Sequence, residues 1–131
     1  MIVVDTNVIA YLYLPGKYTS LSERLLEKDD AWAVPILWRS EFRNILAGCF
    51  RRGDISFEQA IAIQVEAESL TSGSEYEVES RHVMELVRES NCSAYDCEYV
   101  ALAQSLNTSL VTADAKVLRA FPNIAVSLGA G

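Results

Sequence analysis

The sequence predicts an α/β fold with a mostly parallel sheet, and three observations support this. Short apolar runs alternate along the chain with longer segments that carry helix signals. The first run, residues 2–4, is wholly apolar and β-branched, as in a strand buried on both faces. The chain has 131 residues, half of them apolar, and neither a repeat nor a linker interrupts it. We therefore expect a single domain over residues 1–131 with one core.

Capping and breaking residues mark where the predicted helices begin and end. Capping-box patterns at residues 20–23 and 56–59 open two helices. Pro15, followed by glycine, ends the first helix, while Pro35 and Gly53 suit the two ends of the third. The predicted helices cover about residues 6–14, 20–28, 35–52, 56–70, 79–89, 93–107 and 114–121.

The apolar runs between these helices are predicted strands. They cover residues 2–4, 32–34, 110–112 and 124–128, with a further, ambiguous segment at 76–78. Strands separated by helices pair in parallel, and ligands collect at the carboxyl ends of such strands. This edge of the sheet is therefore the place to search for a site.

Composition argues against several classes of protein. The formal charge of −7 argues against a nonspecific nucleic-acid coat, although a carboxylate cluster in a nucleic-acid enzyme would itself add negative charge. No apolar run approaches the roughly 20 residues that cross a bilayer, and the N-terminus lacks a basic leader, so neither a membrane span nor a signal peptide is expected. Three cysteines without paired spacing predict reduced thiols in a cytoplasmic protein.

Two acidic residues stand where a predicted strand gives way to a helix. Asp5 directly follows the strand at residues 2–4, and Asp114 follows the strand at residues 110–112. If both strands are parallel, both acids share one edge of the sheet. Aspartate is also a favoured N-cap and complements the helix dipole, so capping is an alternative explanation for each acid.

Two further acids lie within predicted helices. Asp96 has capping-box spacing after Ser93, but the residues three and four positions later continue an apolar face. Glu41 stands one turn from both Leu37 and Ile45 and so interrupts the stripe expected to face the core. A carboxylate on an apolar face costs free energy unless it is paired or bound to a metal. The alternative for Glu41 is a place at the edge of the stripe, reaching water or an arginine.

If the four acids converge, they form an oxygen-rich cluster that suits Mg²⁺ or Mn²⁺. Zinc is disfavoured because the chain has one histidine, His82, to which we assign a structural role, and no Cys/His pairing. No arrangement for nucleophilic catalysis is evident, which leaves metal-activated water as the route to hydrolysis.

Small polar residues beside the acids are candidates for holding carboxylates or water, or else are ordinary caps. They are Thr6, Asn7, Ser93 and Thr112, of which Asn7 and Ser93 are the first candidates for this role. Arg52 returns to nearly the face of Glu41, about 16 Å along the helix, where it could contact an RNA backbone. Glu98 is turned about 200° from Asp96 and is expected to be solvated or part of an interface.

Three segments together resemble the PIN-domain family. Residues 3–9, Val-Val-Asp-Thr-Asn-Val-Ile, resemble its opening, and residues 93–103 with Leu-Val-Thr-Ala-Asp at 110–114 resemble its second half. Glu41 falls where the family carries a helix-borne acid. The resemblance extends over the whole chain, and stand-alone chains of this size are most similar to VapC toxins of toxin–antitoxin pairs.

This resemblance implies a three-layer fold in which helices flank a five-stranded parallel sheet. It implies Mg²⁺- or Mn²⁺-dependent cleavage of RNA by activated water, with Asp5, Glu41, Asp96 and Asp114 as the catalytic residues. Asp5 and Asp96 would be the principal metal ligands, Asp114 would complete the acidic pocket, and Glu41 would hold metal-bound water or a second metal. It also implies a homodimer that a VapB-like antitoxin silences.

Other functions compete with this expectation. A PIN nuclease without an antitoxin could act on other RNA or on DNA. A non-catalytic interaction domain would have a degenerate acid pocket, and the presence of all four acids counts against it. A flavodoxin-like phosphoacceptor domain would need a suitably placed lysine, but Lys116 follows Asp114 too closely.

Overall fold

A five-stranded parallel sheet with helices on both faces forms the centre of the structure, a computed structural model that describes residues 1–130. The strand order is β3-β2-β1-β4-β5 and every pairing is parallel. The predicted α/β class and three-layer arrangement are confirmed. In chain order the elements are β1 (Ile2–Val4), α1 (Thr6–Tyr13), α2 (Thr19–Lys28), β2 (Trp32–Pro35), α3 (Trp38–Arg51), α4 (Phe57–Leu70), β3 (Glu75–Tyr76), α5 (Ser80–Arg88), α6 (Ala94–Ser105), β4 (Leu110–Thr112), α7 (Ala115–Ala120) and β5 (Ala125–Ser127).

The first strand of the chain lies at the centre of the sheet. β1 pairs with β2 on one side and with β4 on the other, where Val4 is in register with Val111. The backbone N–H of Asp5 continues this ladder by donating to the carbonyl of Val111 at 3.1 Å. The carboxyl ends of β1 and β4 therefore lie side by side, although the two strands are far apart in sequence.

The core explains why these short segments are strands. β2 and β4 are buried along their whole length, as expected for largely apolar runs between two helical layers. Trp38 and Phe42, one turn apart on α3, are both fully buried, with their ring centroids 5.6 Å apart. Helix α6 is buried on most of its surface after its first turn. This helix therefore packs within the core and holds its polar residues at fixed positions.

One predicted helix start and one predicted helix cap are wrong. Pro35 is the last residue of β2, and α3 begins only at Trp38. The strand continues because Pro35 is in register with Tyr76 of β3, and proline at a strand end removes no hydrogen bond that this pairing needs. Helix α2 begins at Thr19 without a side-chain cap, and the hydroxyl of buried Ser22 donates to the Val8 carbonyl instead.

The ambiguous segment at residues 76–78 overlaps a two-residue edge strand, β3, at Tyr76. Both carboxylate oxygens of Glu75 accept hydrogen bonds from Arg39 of α3, at 2.6 and 2.7 Å, and Trp38 Nε1 donates to the same carboxylate at 2.7 Å. A third nitrogen of Arg39 contacts Glu68 of α4 at 3.0 Å. This network fixes the short strand to the helices beside it.

The remaining sequence expectations concern membrane spans, the cysteines, His82 and the bounds of the domain. No helix within residues 1–130 is long and apolar enough to cross a membrane. Cys49, Cys92 and Cys97 are buried and form no disulfide. His82 contacts Gln104 of α6 through Nε2 at 2.6 Å, which is consistent with its structural assignment. The predicted domain of residues 1–131 includes Gly131, which lies outside the described residues.

Candidate active site

Thr112 joins two of the candidate acids at the carboxyl edge of the sheet. Its hydroxyl donates to Oδ2 of Asp5 at 2.9 Å and accepts from the backbone N–H of Asp114 at 3.0 Å. Thr112 is fully buried, so water does not compete for either bond. The ends of β1 and β4 are thereby fixed relative to each other, and both acids occupy the edge at which the sequence places them.

The capping explanation holds for one of these two acids and not for the other. Asp114 caps α7, because its Oδ1 accepts the backbone N–H of Lys116 at 2.9 Å. Asp5 has the extended backbone of an N-cap, but its side chain makes no capping hydrogen bond to α1. Its carboxylate is held by Thr112 instead, and helix formation alone does not explain why aspartate stands there.

Glu41 lies beside the buried stripe of α3 and does not interrupt it, so the predicted position within the stripe is wrong. The buried residues of this helix are offset by one position, at Trp38, Phe42, Leu46 and Cys49. Glu41 is half-buried at the edge of the stripe, where its Oε1 accepts a hydrogen bond from Tyr99 at 2.6 Å and another from Thr6 at 3.0 Å. The carboxylate therefore points to α1 and α6 rather than to an arginine.

Asp96 is the third residue of α6 and is half-buried. Its backbone N–H donates to the hydroxyl of the N-cap Ser93 at 3.1 Å, as the spacing predicts. Burial raises the pKa of the Asp96 carboxyl, and the negative charge of Asp114 raises it further. The two acids are thus close enough to interact electrostatically.

The same coupling links Asp5 to the acids of both helices. Burial, together with the negative charges of Glu41 and Asp96, raises the pKa of Asp5 from 3.8 to about 6, against the opposing effect of the hydrogen bond from Thr112. All four predicted acids therefore belong to one electrostatically coupled group.

The remaining predicted residues lie in different surroundings. Asn7 is exposed on α1 and makes no hydrogen bond to any of the four acids described above. Arg52 pairs with Asp54 at 3.1 Å, and both side chains are largely exposed. Glu98 is half-buried, and its pKa is raised by burial and by the charge of Glu41. Glu98 is therefore partly removed from water and close enough to Glu41 of α3 for the two charges to interact.

Sequence reasoning missed Tyr99 as a member of the site and ranked Thr6 too low. Both side chains are buried, and both hydroxyls contact Glu41 and each other. A signal for Tyr99 was present, because it lies one turn after Asp96 on an apolar face, where a phenol needs a hydrogen-bond partner. The identity of that partner depends on how α3 and α6 pack.

The donor set is chemically suited to a hard divalent cation. Carboxylate oxygens are the ligands that Mg²⁺ and Mn²⁺ favour. Within residues 1–130, no three acidic, histidine or cysteine side chains lie close enough to hold a metal ion as they stand. The raised pKa values of Asp5 and Asp96 are due in part to neighbouring negative charges, which a cation bound there would offset.

Solved structures share this architecture. The crystal structure of PAE2754 from Pyrobaculum aerophilum is 21% identical with a TM-score of 0.76, covering 97% of this chain and 90% of that one. A toxin–antitoxin complex from Klebsiella pneumoniae is 18% identical with a TM-score of 0.68, covering 96% of each chain. FitAcB from Neisseria gonorrhoeae is 16% identical with a TM-score of 0.75, covering 95% of this chain and 96% of that one. At these identities the likeness establishes a common fold.

The sequence comparisons establish the family. No curated protein sequence matches the chain. The profile of the PIN domain matches residues 2–123, which include Asp5, Glu41, Asp96 and Asp114. PIN domains are generally nucleases. Because this match spans most of the chain and the parallel sheet agrees with it, the chain belongs to the PIN-domain family.

Proposed function

We propose that this chain is a divalent-metal-dependent endoribonuclease that hydrolyses RNA phosphodiester bonds, and that it is the VapC-type toxin of a type II toxin–antitoxin pair. The observation that carries the nuclease proposal is the group of four coupled carboxylates at one sheet edge of a PIN domain. Asp5 and Asp96 are partly removed from water beside other negative charges, which costs folding free energy, so a functional reason for this grouping is expected. The proposed domain spans residues 1–131.

The metal would be Mg²⁺ or Mn²⁺, with Asp5 and Asp96 as its principal ligands and Asp114 completing the acidic pocket. When bound, such a cation activates water and offsets negative charge on the phosphate. Burial and hydrogen bonding prepare the ligands for this role. Thr112 orients the Asp5 carboxylate by donating to Oδ2, and Ser93 fixes the first turn of the helix that carries Asp96.

The other residues of the site would bind and orient the reactants. Glu41 has one oxygen engaged by Tyr99 and Thr6, and its second oxygen would orient the attacking water. Arg52 is exposed and would contact the RNA backbone by charge. Asn7, exposed on α1, would reach the substrate side of the pocket rather than the carboxylates.

The partner proposal depends on a similar structure and on an apolar surface. One of the similar structures is a toxin–antitoxin complex. Phe57, Ile61 and Val65 lie four residues apart on α4 and are 58%, 47% and 62% exposed, an apolar stripe that is unusual on a free surface. We propose a VapB-like antitoxin and a homodimer for this chain. We also propose a cytoplasmic location, in which three unpaired cysteines are the usual state.

Cleavage of total cellular RNA by the purified, antitoxin-free chain in Mn²⁺ tests this proposal. Asp5→Asn and EDTA should each abolish cleavage, and Asp30→Asn, which alters an exposed acid outside the group, should leave it intact. Sequencing of the new RNA ends then identifies the target. Cleavage only of DNA in parallel reactions would replace the RNA assignment, and no cleavage of either by folded protein would indicate a non-catalytic binding role.

A further inference from the structure

Tyr99 connects the helix of one proposed metal ligand to the carboxylate of another helix. It is 2% exposed within α6, and its hydroxyl donates to Oε1 of Glu41 at 2.6 Å. Thr6, 3% exposed, donates to the same oxygen at 3.0 Å, and the two hydroxyls are in contact. These residues are separated by 58 and 35 positions from Glu41, so only the folded chain brings them together.

Packing explains the ring of Tyr99 but not its hydroxyl. Around it α6 is a core helix, with Val100, Ala101, Leu102 and Ala103 all buried. A phenylalanine ring would fill the same space without introducing a polar atom that needs a partner. The hydroxyl is therefore best explained by what it does to Glu41.

The two hydrogen bonds leave Glu41 with a defined orientation. Both hydroxyls converge on Oε1, whereas Oε2 accepts no hydrogen bond from any other residue in 1–130. Thr6 directly follows Asp5 in sequence, and Tyr99 lies one helical turn after Asp96. Glu41 is thus attached to the two segments that carry the proposed metal ligands, and its free oxygen is fixed relative to both.

We propose that Tyr99 is a positioning residue, which holds Oε1 of Glu41 so that Oε2 is kept for the attacking water and the metal site. The proposal rests on the proposed nuclease function, because it assigns the use of that second oxygen. Tyr99 itself is too deeply buried to contact RNA. Its loss should consequently lower kcat and metal affinity while KM for RNA stays unchanged.

The decisive experiment is a double-mutant cycle between Tyr99→Phe and Glu41→Gln, with Tyr95→Phe as the matched control. Tyr95 lies on the same helix but is 62% exposed. Mn²⁺ affinity is measured by isothermal titration without RNA, and kcat and KM are measured on an RNA that the wild-type chain cuts. We expect Tyr99→Phe to lower kcat and Mn²⁺ affinity about tenfold to a hundredfold, the usual range for residues that orient metal ligands. It should have no further effect in the Glu41→Gln background.

The other outcomes either overturn the proposal or leave the Mn²⁺ titration to decide it. Wild-type Mn²⁺ affinity and kcat in Tyr99→Phe overturn it, as does an equal loss in the Glu41→Gln background, which would show that Tyr99 acts on packing alone. If the wild-type chain binds Mn²⁺ but cuts no RNA, the nuclease proposal fails while the titration arm still decides the role of Tyr99. If the wild-type chain does not bind Mn²⁺, both the metal-dependent nuclease proposal and the role assigned to Tyr99 are wrong.

Discussion

Replacement of Asp5 by asparagine should stabilise the metal-free fold at neutral pH. The substitution removes the charge but keeps the shape and an oxygen that accepts the hydrogen bond from Thr112. The folded-state pKa of Asp5 is about 6, above its ordinary 3.8. The protonated carboxyl of Asp5 therefore makes its full contribution to the free energy of unfolding below about pH 4, and this contribution is lost as the pH rises through 6. At about 1.36 kcal/mol for each pH unit, the ionised carboxylate costs the fold roughly 3 kcal/mol at pH 7.

Urea unfolding in EDTA at pH 7 and pH 4 measures this difference. We expect Asp5→Asn to exceed the wild type by up to roughly 3 kcal/mol at pH 7, or on the order of 10 °C in Tm, and to match it near pH 4. Added Mn²⁺ should stabilise only the wild type, because binding to the folded state alone shifts the unfolding equilibrium. A variant that is no more stable than the wild type at pH 7, or equally more stable at both pH values, would refute the reasoning.

Three further substitutions test neighbouring contacts. Thr112→Val leaves the carboxylate of Asp5 without its buried donor, so the free energy of unfolding in urea should fall by about 1–3 kcal/mol and the pKa of Asp5 should rise further. An unchanged midpoint would contradict the role of Thr112 in joining Asp5 to Asp114. Arg39→Ala should lower the urea midpoint of unfolding because the hydrogen bonds to Glu75 are lost, whereas Arg43→Ala, at an exposed position, should leave it unchanged. Equal effects of the two substitutions would contradict a stabilising role for the network around β3. Arg52→Ala should raise KM for RNA severalfold and reduce the salt dependence of RNA binding by about one phosphate contact, with the unfolding midpoint unchanged. An unaltered salt dependence would show that Arg52 does not contact RNA.

The sequence predicted the sheet and the acids because both depend on local patterns. Short runs rich in apolar and β-branched residues, such as 2–4 and 110–112, favour buried parallel strands, and an acid one or two residues after such a run lies at the carboxyl edge. Asp5 and Asp114 could therefore be placed without knowing the strand order. The capping spacing of Ser93 and Asp96 likewise depends on one turn of helix.

Predictions that depended on packing between distant elements were less accurate. The stripe on α3 was displaced by one residue because Glu41, Leu37 and Ile45 fit a helical period nearly as well as the residues that are actually buried. The meeting of Tyr99 with Glu41 depends on how two helices cross and leaves no trace in local spacing. The sequence favours Asn7 over Thr6, but the orientation of α1 decides which of the two side chains faces the acids, and it is Thr6 that does so.

The pairing of β1 with β4 determines when the site can exist during synthesis. The hydrogen bond from Thr112 to Asp5 joins residues 107 positions apart, and all the helices from α1 to α6 lie between them. Closing so long a loop is slow compared with forming local helices. A nascent chain still on the ribosome has made Asp5 but not its partner strand, so the proposed nuclease stays inactive beside ribosomal RNA until β4 has emerged and docked.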